Sequence, residues 1–401
     1  MTSTAPSFRA GNWKRLDGID LLRGLAIFFV LMNHVNIRVL GAKVLYTKFL
    51  PAQLVHFLVW NGQLGVQIFF VVSGFLITSI SLRRWGQLAK LNLREFYVLR
   101  FARIAPLLLL LLAILSGLHL ANIHNFVVPA DRGGLGRALA AALTFHINVL
   151  EARRGYLPGN WDILWSLSVE EMFYLFFPVV CRLFGRGKLL LAIFLGFVVL
   201  GPFGRTAFAR GNDIWSDYCY LGGMEGIALG CLTAMIVSRT RFSRLVLWVL
   251  GCVGTAVVAS SLVFSWQAYR GWLGQTGLNM TVLGLGTGMF IAATAQTEWK
   301  SPRVLRPLLR IGQYSYEVYL THMFVVFAFF GLFLDVGKPM RLVPVLFAAT
   351  ILVAGILGAA VARFYSEPMN RYLRGSSLGS QGQGASVMDA QAVRAGEGSS
   401  V

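Results

Sequence analysis

Ten apolar runs of nearly uniform length alternate with polar connections along the chain: 20–40, 64–82, 104–122, 164–182, 189–206, 217–237, 245–264, 276–295, 314–334 and 343–362. A helix needs about 20 residues, at ~1.5 Å rise each, to cross the ~30 Å hydrocarbon core of a bilayer. Backbone polar groups find no water there, so each run must satisfy its own hydrogen bonds as a helix. The pattern predicts an all-α, polytopic transmembrane bundle of about ten spanning helices. One further apolar stretch, 137–150, has only about 14 residues and falls short of a span, so it is expected to be re-entrant or interfacial. Two connections stand out for length, 83–103 and 123–163, and long connections in a compact bundle are usually functional or disordered. The polar ends, 1–14 and 375–401, are expected to be disordered tails on one membrane domain, 15–374.

Composition agrees with a lipid-embedded chain. Of 401 residues, 56% are hydrophobic and 13% charged, and the mean hydropathy of +0.65 lies outside the balance of a soluble domain. The net charge of +19 raises a nucleic-acid reading. The basic residues, however, cluster in alternate connections, as positive-inside topology requires. With both termini in the cytoplasm, 24 of the 36 Lys and Arg fall inside, among them Arg83 to Arg103, Arg182 to Lys188 and Lys300 to Arg310. Topology and contact with lipid headgroups account for most of the excess, so no nucleic-acid partner is expected. Cys181, Cys219, Cys231 and Cys252 lack metal-ligand spacing and suit packing. The histidines His56, His119, His124 and His146 show no such spacing either, and no metal is expected. The first run carries charges and lacks a small-residue cleavage site, so it reads as a retained helix.

With the scaffold apolar, the polar exceptions carry the information. In the first run Asp20, Arg23 and His34 fall within roughly 60° of one another at ~100° per residue, forming one stripe of ionisable groups. Charged side chains cost at least ~2.5 kcal/mol each in hydrocarbon, so such a stripe faces a protein interior, a cavity or a reaction path. His34 sits ~21 Å into the run, beyond the midplane. An imidazole there can serve as base or nucleophile; the competing reading is a buried ring satisfied by a carbonyl. Arg23 follows Asp20 by three residues, which suits an intrahelical ion pair as well as an active role.

Further motifs follow in order: Phe69-Phe-Val-Val-Ser73-Gly74-Phe75, Phe96-Tyr97-x2-Arg100-x2-Arg103-Ile-x-Pro106, Trp165-Ser166-Leu-Ser168-Val-Glu170-Glu171-x2-Tyr174, Gly312-x2-Ser315-Tyr316-x2-Tyr319-Leu-x-His322, and Ser366-Glu367-Pro368. Together with Asp20-x2-Arg23-x10-His34 they resemble the acyltransferase 3 family of integral-membrane acyltransferases over roughly 15–374. The resemblance implies a ten-helix bundle that takes an acyl group, usually acetyl from acetyl-CoA, on the cytoplasmic side. It delivers that group to a hydroxyl, most often on a cell-surface or lipid-linked sugar. Some members carry a fused hydrolase-like domain; this chain is expected to be a stand-alone enzyme of a bacterial inner membrane, and a homo-oligomer is possible.

Under that resemblance His34 and Glu170 are the catalytic candidates, with Glu170 expected at the depth of His34 to orient its imidazole. Arg100 and Arg103, at i and i+3, suit the phosphates of acyl-CoA, and anchoring to anionic lipid is the competing use. Arg23, Tyr316, Tyr319 and His322 are candidate donor contacts, although an interfacial tyrosine belt would look similar. Asp20, Trp165 and Ser168 are candidate acceptor contacts. Glu171 reads better as an acid in the first turns of a capped helix. Ser73 lacks the Gly-x-Ser-x-Gly pattern of a hydrolase and reads as a small residue for helix packing. Three other readings stay open: acylation of a small metabolite such as a macrolide, a proton-coupled transporter, and a membrane-anchored sensor.

Overall fold

The computed structural model describes residues 16–375, so the two tails, apart from Gly375, lie outside the described residues. Among the described residues every regular element is helical. Ten helices among these residues are long and apolar enough to cross a membrane. They are α1 (Asp17–Gly41), α2 (Gly62–Trp85), α3 (Leu93–Leu120), α4 (Leu164–Phe184) and α5 (Lys188–Arg205). The second half comprises α6 (Tyr220–Arg239), α7 (Arg244–Val263), α8 (Leu278–Thr297), α9 (Ser315–Asp335) and α10 (Val343–Val361). The protein is thus a multi-pass membrane protein, as the hydropathy pattern predicts.

The 137–150 stretch does not span. It forms two short helices, Gly134–Leu143 and Ile147–Arg154, broken at Phe145, whose φ of 57° no helix tolerates. The two long connections are also more ordered than expected. α2 runs on to Trp85 and α3 starts at Leu93, leaving only a short turn between them. Asn92 caps α3 by accepting from Glu95 N at 3.1 Å, and the Glu95 carboxylate receives both Arg84 and the Trp85 indole, the latter at 3.0 Å. Arg100 and Arg103 therefore stand on a helix whose first turns reach beyond its apolar run. The 123–163 segment folds mostly into short helices that include the two above.

Helices without a hydrophobic drive between them associate where small residues let backbones approach. α2 and α6 do this reciprocally. A Cβ on Gly74 would collide with the carbonyl of Ile227, and one on Gly230 with the carbonyl of Val71. The packing role thus belongs to Gly74, next to Ser73. Because both clashes are with backbone, the helices themselves must separate. We expect Gly74→Ala to destabilise the bundle by ~1–3 kcal/mol, read as a lower thermal midpoint of the detergent-solubilised protein.

Candidate active site

A cavity of about 590 Å³ enters the bundle at the end where α1 begins. Its lining runs from Arg84 up to Val66 on α2, which at ~1.5 Å per residue is ~27 Å, most of a bilayer core. Arg23, Arg84, Arg100, Arg103 and Arg374 line it, as do Glu170 and Glu171. The arginines are not equivalent. Arg84 belongs to Glu95, and Arg103 donates to buried Glu317 on α9 at 2.8 Å. Arg100 lies over the Tyr174 ring, 4.1 Å from its centroid, and is bonded to no carboxylate among the described residues. Arg23 Nε donates to Ser315 Oγ at 3.0 Å, which ties α1 to α9 at the cavity wall.

Farther in, Tyr319 lines the cavity and donates to the Ile163 carbonyl at 2.9 Å, with Ser166 Oγ at 2.6 Å. His322, one turn beyond Tyr319 and fully buried, meets His34 there. His34 Nδ1 is 2.9 Å from Val30 O and 3.2 Å from His322 Nε2, and His322 Nδ1 is 2.6 Å from Tyr319 O. Carbonyls only accept, so both Nδ1 atoms carry the proton in neutral rings. His34 Nδ1–H is then shared between Val30 O and the lone pair of His322 Nε2. One assignment satisfies every contact, and it leaves His34 Nε2 with a lone pair. That is the atom a general base or nucleophile needs.

The structure brings some sequence candidates together and separates others. Arg23, Arg100, Arg103, Tyr316, Tyr319 and Glu170 share the cavity. Glu170 bonds to Ser73 Oγ and to the Tyr174 hydroxyl on the cavity wall, and His34 is not among its partners. The imidazole partner is His322, expected from the sequence to sit in the donor tunnel. Tyr316 donates to Ile104 O at 2.8 Å beneath the Arg103 guanidinium. Trp165 stacks on Tyr218 at 4.1 Å, and Ser168 Oγ donates to Leu164 O and accepts from Ile147 N. Asp20 is buried at the start of α1. None of these last three lines the cavity. Nor does Glu171 act in an N-terminal cap. α4 starts after Ile163, which has no capping side chain, and Glu171 lies on the cavity wall with one carboxylate oxygen buried and unbonded among the described residues.

Beyond the histidines lies a polar group that hydropathy did not single out. Arg38, one turn after His34, packs over Phe327 and against Gly159. Asp162 accepts from Tyr218 at 3.0 Å. Nearby Glu151 is fully buried, accepts from Leu157 N at 2.9 Å and shares a hydrogen bond with the Asp162 carboxylate. Burial first, and then the neighbouring Asp162 charge, push the Glu151 carboxyl well above its ordinary 4.5. The folded state holds that proton at pH values where the unfolded chain has lost it. Stability is therefore fully present below about 4.5 and declines as pH rises through the window toward the folded value. Glu151→Gln should raise the thermal midpoint at neutral pH and flatten this decline.

Comparison with known proteins agrees with the motifs. A family model for the acyltransferase domain, acyltransferase 3, matches residues 16–363. The peptidoglycan O-acetyltransferase OatA of Listeria monocytogenes is 27% identical over 341 residues, covering 77% of this chain and 49% of the relative. O-acetyltransferase OatA of Staphylococcus aureus is 24% identical over 374 residues, covering 89% and 57%. The chain thus spans about half the length of the curated relatives it matches. No solved structure matches it. With a family match over nearly the whole bundle, the chain belongs to the acyltransferase 3 family.

Proposed function

We propose that this chain is a membrane O-acetyltransferase that takes acetyl from acetyl-CoA at the arginine-lined end, facing the cytoplasm of a bacterium. It passes the group to a hydroxyl of a cell-surface or lipid-linked carbohydrate, peptidoglycan being the example among its relatives. The observation that carries the reading is an imidazole pair just past the inner end of a cavity whose mouth is lined by arginines. Arg100, bonded to no carboxylate among the described residues, suits the donor phosphates, since guanidinium groups bind phosphate in pairs of hydrogen bonds and stay charged, while Arg103 faces the same cavity from its pair with Glu317. Arg23 and Tyr319 line the path from that mouth toward the histidines.

At the far end His34 Nε2 accepts the proton of the acceptor hydroxyl as its oxygen attacks the thioester carbonyl. The carbon–sulfur bond breaks, and the proton passes from His34 to the departing thiolate. His322 orients His34 and spreads the charge that develops on it, the part sequence reasoning gave to Glu170. Purified protein in liposomes, given labelled acetyl-CoA and peptidoglycan fragments, should form an alkali-labile labelled ester. Folded protein that forms none from acetyl-CoA with any carbohydrate acceptor contradicts the reading.

A further inference from the structure

A second cavity, about 1190 Å³, opens at the end of the bundle opposite the arginines. It lies between the C-terminal ends of α1, α5 and α7, the N-terminal ends of α2 and α8, and the short helices around 52–59 and 265–275. Its wall is aromatic. Trp60 and Trp266 keep 43% and 41% of their surface exposed, and the His56 ring lies flat on Trp266 at 4.4 Å. Its floor is polar and sets two carboxylates against one guanidinium. The Arg205 guanidinium donates to the carbonyls of Gly222 and Gly277 and pairs with buried Glu225, and Asp217 stands beside it.

A small void lined by Gln63, Gln67, Arg205 and Asp217 continues from that floor to Phe70. Phe70 also lines the arginine-mouthed cavity, so one aromatic ring bounds both spaces.

We infer that this cleft is a carbohydrate-binding site that holds the acceptor chain. The inference rests on the reading that the protein acylates a sugar hydroxyl. A pyranose presents an apolar C–H face and a rim of neutral hydroxyls. The exposed Trp60 ring and the part of Trp266 that His56 and Arg270 leave open match the first, and planar amides such as Gln63, Gln275 and Asn279 match the second. With its one guanidinium already paired and a second carboxylate beside it, the floor gives no grip on an anionic ligand such as a nucleotide. A lipid tail in the cleft would leave the floor's amides and carboxylates against hydrocarbon with no partner for them.

The test uses the full chain in lipid nanodiscs, with a soluble tetramer of N-acetylglucosamine as probe and acetyl-CoA in a parallel titration. Wild type should bind the tetramer by saturation-transfer NMR. Trp266→Leu, which keeps an apolar side chain at the wall, should bind it about tenfold more weakly, with acetyl-CoA affinity unchanged. Equal tetramer binding by both proteins overturns the site. So does acetyl-CoA binding by a wild type that takes no tetramer, including the case in which lipid that resists exchange co-purifies in the cleft. Tetramer binding that depends on Trp266 without any acetyl-CoA binding supports the cleft and overturns the donor reading instead.

Discussion

His34→Ala, inserted and folded, transfers acetyl to carbohydrate at least ~10²–10⁴-fold more slowly than wild type, the range that a positioned acid–base group contributes. The expectation follows from hydrogen-bond accounting. Val30 O and Tyr319 O fix the protons of both rings on Nδ1, so His34 Nε2 has the lone pair and His322 has its lone pair committed to His34. Alanine removes the base and leaves the donor mouth on α2, α3 and α4 untouched, so acetyl-CoA should bind with unchanged affinity. His322→Gln should lower turnover with little change in donor KM. It should also shift the acidic limb of the pH–rate profile, which a residue that only packs would not do. A His34→Ala protein with wild-type turnover would remove the imidazole from the mechanism.

The second large effect separates two arginines that look alike in the sequence. Arg103→Ala should destabilise the protein by about 3–5 kcal/mol, because it strands the Glu317 carboxylate, 1% exposed, in the interior without its partner. The double variant Arg103→Ala with Glu317→Gln should recover much of that stability. Arg100→Ala breaks no ion pair among the described residues and should leave the thermal midpoint within ~1 kcal/mol of wild type while raising the KM for acetyl-CoA. Thermal unfolding together with donor titration reads both. Equal losses of stability in the two single variants would show that neither arginine is reserved for the donor.

The spans were legible because lipid imposes a hydrophobic window: α9 was expected at 314–334 and is found at Ser315–Asp335. Where helices leave the core or face a polar cavity, that window fails. Leu93 to Arg103 is helical yet reads as loop, since its charged face meets the arginine-lined cavity and the Glu95 clasp. The i, i+3 spacing correctly put Arg100 and Arg103 on one side of a helix, because that inference is local. The His34–His322 contact joins residues 288 apart in sequence and depends on how α1 packs on α9, which no periodicity records. Glu170 bonds Ser73 and Tyr174 on the cavity wall for the same reason: which side chains meet depends on how α4 packs against its neighbours, not on expected depth along a helix.

We propose that an imidazole inside the bundle joins a donor arriving from one side of the membrane to an acceptor arriving from the other. Oriented proteoliposomes test it directly, with labelled acetyl-CoA confined to the side of the arginine-lined mouth and a carbohydrate acceptor confined to the opposite side. Labelled acceptor should form across sealed vesicles with wild type and not with His34→Ala. Label that reaches the acceptor only when both substrates share one side would contradict it.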